Sequence, residues 1–457
     1  MIGSVVTARR HVLAGLVFLT LCLGGMLWAS GSQAAGHRDR HVPVIFVHGG
    51  SGSAQQFETN AMRFTSNGYR HSSLFAYEYD TSAPSNDVAI ANLDGFIAGV
   101  RQRTGASRVD ILAHSRGTTV MHAYLATPER AAQVRRYVNF DGRTSATPPG
   151  GVPTLAVWGE GDQTRAIGGA ENVYYPDKAH TEVTTSREAF ADVYEFLTGS
   201  EPRFRDVVPE PPGQVTVAGR SALFPANVGY EGAVLRVYEV WHDSGRRKSR
   251  RPLHEVTLGP DGTFGPLRVN GRKRYEFEVS SEGVTTIHNY PEPFERDDHF
   301  YRVFRAPALA PFIELGAGHS VLTVTRMREW WGDQAEPSAS DRLELNGLNV
   351  LNPAIAPRAR RIIAVFNFDR GSDGVTDTSA SLFPFSALSF LTGVDNHLPA
   401  SPDASGTITV RETMRGSAHR ESLNVPNWPS DEHAISVYFK DYVAEAFPRW
   451  WWWRRGQ

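Results

Sequence analysis

The stretch Arg108-Val109-Asp110-Ile111-Leu112-Ala113-His114-Ser115-Arg116-Gly117 decides how this chain reads. An apolar, strand-like run leads straight into Ser115, with small residues two positions before it (Ala113) and two after it (Gly117). This is the pattern of a sharp strand-to-helix turn that lifts a serine hydroxyl to the top of a sheet. A strained turn with positive backbone torsion has no room for bulky neighbours, which accounts for both small residues. Five residues alone are a weak signal. Their weight comes from what stands around them, and in what order.

Before the turn, residues 42–47 read as a buried strand entering His48-Gly49-Gly50-Ser51-Gly52, and residues 73–79 as a second strand. Ile90, Leu93, Ile97 and Val100 recur at helical spacing. After the turn, residues 118–126 predict the helix packed behind it, and residues 137–140, 153–158 and 172–175 three more strands. Ser186 caps a closing helix whose Phe190, Val193, Tyr194 and Leu197 form one stripe, with Gly199 as its stop. Strands alternating with helices predict an α/β fold with a doubly wound, mostly parallel sheet over residues 36–200. Pro202, Pro209, Pro211 and Pro212 mark a linker over residues 201–214. Period-two segments follow, such as Leu235-Arg236-Val237-Tyr238-Glu239-Val240, with hairpin turns at Pro260-Asp261-Gly262 and Asn270-Gly271. They predict two β-rich, sandwich- or barrel-like regions, residues 215–306 and 307–446.

The N-terminus sets the expected compartment. Arg9 and Arg10 precede an apolar run, residues 12–28, and the small residues around Ala34 and Ala35. This reads as a secretory signal peptide, residues 1–35, and predicts a secreted or periplasmic protein. Cys22, the only cysteine of the 457 residues, lies inside that run, so the mature chain would rely on its core rather than on disulfides. A net charge of −2 argues against a nucleic-acid partner, which calls for a clustered basic excess.

Acyl transfer by serine needs a base, an acid that orients the base, and donors for the oxyanion. His180 is the candidate base, in the loop after the last strand and before the closing helix. Two acids compete, because both end strands that face one cleft: Asp141 in Asn139-Phe140-Asp141-Gly142, and Asp162 in Trp158-Gly159-Glu160-Gly161-Asp162. The residues alone leave this open, with Asp162 in the commoner place. The oxyanion donors expected are the backbone N–H groups of Gly50 and Arg116. The glycine loop lacks a Gly-Lys-Ser/Thr ending and dinucleotide spacing, so neither a nucleotide nor any other cofactor is expected, and no metal site.

The hydrolase-like half resembles the secreted, two-domain, lipase-like α/β hydrolases that carry a C-terminal β lipid-binding region. The residues that carry the resemblance are Val47-His48-Gly49-Gly50-Ser51-Gly52-Ser53-Ala54-Gln55-Gln56-Phe57-Glu58, Phe75-Ala76-Tyr77-Glu78-Tyr79-Asp80-Thr81 and Pro128-Glu129-Arg130-Ala131-Ala132. The resemblance implies an α/β-hydrolase sheet and lipid-ester hydrolysis, and it places the acid in the Asp-Gly pair, at Asp141. Arg116 departs from it by standing where lipases place an apolar residue, so a charge at the acyl-binding mouth is expected to disfavour long chains. Gly50 likewise replaces a larger apolar residue.

The expected function is thus a serine carboxylic-ester hydrolase acting on lipid or related ester substrates. Its alternatives are an esterase or polyester depolymerase with a β adhesion module, and a non-catalytic surface-binding protein. Residues 82–87 are a candidate lid segment. The tail Arg449-Trp450-Trp451-Trp452-Trp453-Arg454-Arg455, within residues 447–457, would suit contact with a lipid–water interface.

Overall fold

The computed structural model describes residues 41–443. The expected signal peptide and the Trp/Arg tail lie outside the described residues. Six strands, β1 (Val44–Val47), β2 (Leu74–Tyr77), β3 (Val109–His114), β4 (Val134–Phe140), β5 (Thr154–Trp158) and β6 (Glu171–Tyr174), form one sheet in the order β2-β1-β3-β4-β5-β6. Every pairing in it is parallel. The helices are α1 (Glu58–Ser66), α2 (Asp87–Thr104), α3 (Arg116–Leu125), α4 (Pro128–Ala131), α5 (Glu182–Thr185) and α6 (Arg187–Thr198).

The central strands of a parallel sheet are buried on both faces, so they are mostly apolar and yet sort their side chains to opposite sides. Val44 and Phe46 of β1 pack with Leu112, Val138, Phe140, Val157 and the helices α1 and α6. Ile45 and Val47 point the other way, onto α2 and α3 through Leu93, Ile97, Val120 and Tyr124. In α6 the Ser186 hydroxyl accepts the Ala189 N–H, and Phe190, Val193 and Leu197 are buried. Each buried side chain is worth about 1.5–3 kcal/mol against about 1 kcal/mol for the cap, so the stripe, not the cap, holds this helix on the sheet.

Strand order reverses between β1 and β3, and the crevice at such a switch point lies beyond the carboxyl ends of the strands. The loop after β1 holds Gly49–Gly52, and the turn after β3 holds Ser115. This is the α/β-hydrolase sheet that the sequence predicts.

The β half is built around an eight-stranded sheet in the order His254–Thr257, Val234–Val240, Arg274–Ser280, Thr286–Pro291, His433–Tyr438, Leu322–Trp330, Ile362–Phe368, Leu391–Asp395. Both expected β regions therefore share one sheet. Strand His433–Tyr438 joins them, pairing in parallel with Thr286–Pro291 on one side and Leu322–Trp330 on the other. One end of this sheet packs on Thr216–Leu223 and Asp298–Arg305 through Val237, Phe277, Tyr301 and Val303. The other end packs on Arg342–Leu345 and Thr407–Thr413 through Val324, Leu343, Val410 and Val437.

The two halves meet along α1 and the loop after β1. Phe300 sits edge-on against Phe46, with centroids 5.6 Å apart at 84°. Arg302 bonds Glu78 through Nε at 3.0 Å and Nη2 at 2.6 Å, and the Asn227 amide donates to the carbonyls of Gly52 and Tyr79.

Candidate active site

Ser115 sits between β3 and α3 with φ 50° and ψ −119°. A non-glycine residue held there costs about 1–3 kcal/mol, which the surrounding packing must supply. Gly117 has no alternative, since a Cβ on it would lie 2.5 Å from the Val47 carbonyl oxygen and 2.6 Å from that of His48. Ala113 is fully buried against the helical face of the sheet. The short side chains on either side of the serine thus follow from how closely β1 passes the turn.

His180 and Asp141 are both buried, and His180 Nδ1 lies 2.5 Å from Asp141 Oδ2. The other carboxylate oxygen of Asp141 accepts the Gly159 N–H at 2.9 Å and pairs with Arg165 Nη1 at 2.9 Å. Burial acts to raise the Asp141 carboxyl. The hydrogen bond and charge of His180, then Arg165 and the Gly159 N–H, outweigh it and leave the group below the ordinary carboxylate range. Asp141 itself has φ 42°, and Gly142 after it is obligatory because a Cβ there would fall 2.1 Å from Thr118 Oγ1. Asp162, the rival, is solvent-facing and folds its carboxylate onto its own turn, accepting the Thr164 N–H at 2.8 Å and hydroxyl at 2.7 Å. The structure brings Asp141, not Asp162, to His180.

The imidazole of His114, the residue before Ser115, lies 4.5 Å from that of His180, centroid to centroid. Its Nε2–H donates to the His180 carbonyl at 2.8 Å, and its Nδ1 accepts from the Gln56 side-chain amide. Burial pushes this imidazole well below its usual value, and the neighbouring His180 adds to the effect, so His114 stays neutral. Gln56 Oε1 in turn accepts the Gly49 N–H at 3.0 Å, tying the loop after β1 to the serine turn. Gly50 is half-buried and faces Arg116, whose N–H, at the first position of α3, has no helical carbonyl within reach. These two residues, expected as oxyanion donors, therefore sit side by side.

The Arg116 side chain differs from expectation. Its guanidinium is not a free charge at the mouth: Nη1 bonds the Thr81 carbonyl at 2.7 Å, Nη2 that of Ala83 at 2.6 Å, and Nε the Asn86 side chain at 2.9 Å. It staples the segment expected as a lid. Thr81 is held from the other side, its N–H and hydroxyl both donating to the Pro225 carbonyl. Three neutral acceptors, with the Ser85 carbonyl at 3.5 Å as a longer fourth, turn the guanidinium onto the loop.

Beyond the loop after β1, a cavity of about 220 Å³ runs from Ser51 and Gln55 into the β half, lined by Phe304, Leu309, Phe366 and Leu391 among others. Sequence reasoning missed His114, Gln56, Phe390 and this cavity. His114 carries a signal, being a polar ring that directly follows the apolar run Ile111-Leu112-Ala113. The others are joined to the site only by the fold.

The class 2 lipase family matches residues 41–131, the lipase C-terminal domain family residues 213–306, and a further C-terminal domain family residues 309–443. The chain thus resembles lipases in both halves, a lipase-like hydrolase sheet being followed by a region similar to lipase C-terminal domains. Among solved structures, a Listeria innocua gene product is 13% identical over 36% of this chain and 96% of its own, with a TM-score of 0.28. Aspergillus fumigatus lipase B is 14% identical over 38% of this chain and 56% of its own, at 0.30. The phospholipase PlaB of Legionella pneumophila is 8% identical over 88% and 93%, at 0.22.

Proposed function

We propose that the protein is an exported serine carboxylic-ester hydrolase of acyl lipids, working through an acyl-enzyme. Ser115 attacks the ester carbonyl and His180 takes its proton. Asp141 orients the imidazole and stabilises the imidazolium, and the N–H groups of Gly50 and Arg116 receive the oxyanion. The observation that carries this reading is the buried His180–Asp141 contact at 2.5 Å, in the crevice where the strained Ser115 turn also lies. His180 then returns its proton to the leaving alcohol, and water repeats the cycle on the acyl-enzyme.

An acyl substrate is supported by the cavity, which begins at Ser51, next to Gly50, and is walled by apolar side chains of the β half such as Phe304, Leu309 and Phe366. The Arg116 guanidinium, turned onto the loop of residues 81–86, does not stand in the way of it. Export is supported by the charged, then apolar, then small-residue order of the first 35 residues. Ser115→Ala should lower hydrolysis of p-nitrophenyl esters about 10⁴-fold or more with circular dichroism unchanged, and should abolish fluorophosphonate labelling. Retained turnover would refute the assignment. A chain-length series from acetate to stearate then separates a lipase from a short-chain esterase.

A further inference from the structure

The turn that presents His180 is closed from the β half. Thr181 and Glu182 donate their backbone N–H groups to the two carboxylate oxygens of Glu329, the second at 2.9 Å. Glu329 lies near the end of strand Leu322–Trp330 and is fully buried. The Glu182 side chain accepts the Ala179 N–H at 3.1 Å and is itself held by Arg415 and, at 2.9 Å, by Arg328. Phe390, also of the β half, lies over the His180 ring at 6.1 Å and 18°.

A buried carboxylate is costly unless paired, and one usually meets a guanidinium. Among the described residues none pairs with the Glu329 carboxylate; Arg326 and Arg415 bond its backbone carbonyl instead. Two successive amides and a nearby imidazole are what this charge serves. The other charged or titratable groups facing the turn are already engaged. Asp141 has Arg165 behind it, His114 is neutral with Arg361 beyond it, and Glu182 is locked between Arg328 and Arg415.

We propose that Glu329 is a positioning residue for the base: its carboxylate fixes the Thr181–Glu182 amides so that His180 faces Ser115, and its charge favours the imidazolium formed when the serine proton is taken. This rests on the assignment of Ser115, His180 and Asp141. The hydrolase sheet therefore holds the reacting side chains but does not complete their geometry alone. Burial raises the Glu329 carboxyl above its ordinary value and the Glu182 charge adds to this, while the Thr181 N–H and the charge of His180 act against it, so the two amides are the contacts that offset its burial.

The test is Glu329→Gln in the full chain, with Glu329→Asp beside it. Glu329→Gln should lower kcat for a p-nitrophenyl ester about 10- to 100-fold with KM within about 2-fold, because the base is misplaced while the acyl cavity is untouched. The acidic limb of its kcat/KM profile should move to lower pH by about half a pH unit, since a negative charge beside the imidazole is gone. Glu329→Asp keeps the charge on a shorter arm, so it should lower kcat and leave the limb in place. An unchanged kcat in Glu329→Gln overturns the proposal, and so does a lowered kcat with an unmoved limb, which would mark a structural role. Should Glu329→Gln not fold, unchanged kcat in Glu329→Asp overturns it. Full turnover by Ser115→Ala would instead bring down the triad assignment. An inactive Ser115→Ala beside a wild-type Glu329→Gln removes only this inference.

Discussion

Two neighbouring strand ends carry an acid each, and their contrast shows what makes a carboxylate fit to serve the base. Asp141, after β4, is turned inward by a left-handed backbone, backed by Arg165 and the Gly159 N–H, and meets His180. Asp162, after β5, is in water and folds onto Thr164. Loop position alone allowed either. Desolvation and a prebuilt donor set distinguish them, because only a buried, ionised carboxylate can hold one imidazole tautomer firmly.

The largest expected effect breaks this contrast directly. Asp141→Asn should lower kcat/KM about 10³- to 10⁴-fold by stabilising the wrong His180 tautomer, measured on a soluble ester. Next comes the seam beside the oxyanion loop. Burial tends to raise the Glu78 carboxyl, but Arg302 and His48 hold it far below the usual range. Arg302→Met should leave that charge buried without its cation and cost about 3–5 kcal/mol, read as a lowered Tm.

A smaller effect tests the acid pair Glu58–Asp298 across the same seam. Burial pushes the Asp298 carboxyl up to about 6, and burial together with Asp298 raises Glu58 well above its usual value. Folded values above unfolded ones mean that the contribution is full below about pH 4 and is lost as pH rises through about 6. Glu58→Gln keeps the Tyr438 hydrogen bond without the charge, so its stability should match wild type near pH 4 and exceed it by about 1–3 kcal/mol at pH 8. The smallest effect completes the contrast: Asp162→Asn should change kcat/KM by less than about 2-fold. A large loss there would reassign the acid.

The hydrolase half was largely legible because its order is local. Each strand is a short apolar run, the turn residues around Ser115 answer to sterics within a few positions, and the stripe on α6 repeats at helical spacing. The sequence by itself determined the parallel sheet, the serine turn, the candidate base and the pair of rival acids. Only the tertiary structure decided which acid faces His180, where Arg116 spends its charge, and that strand His433–Tyr438 joins both β regions into one sheet. It also decided that Glu329, 149 positions beyond His180 in the sequence, grips the turn after it. These depend on which surfaces remain unpaired once every strand is placed, a condition of the whole fold that no local spacing encodes.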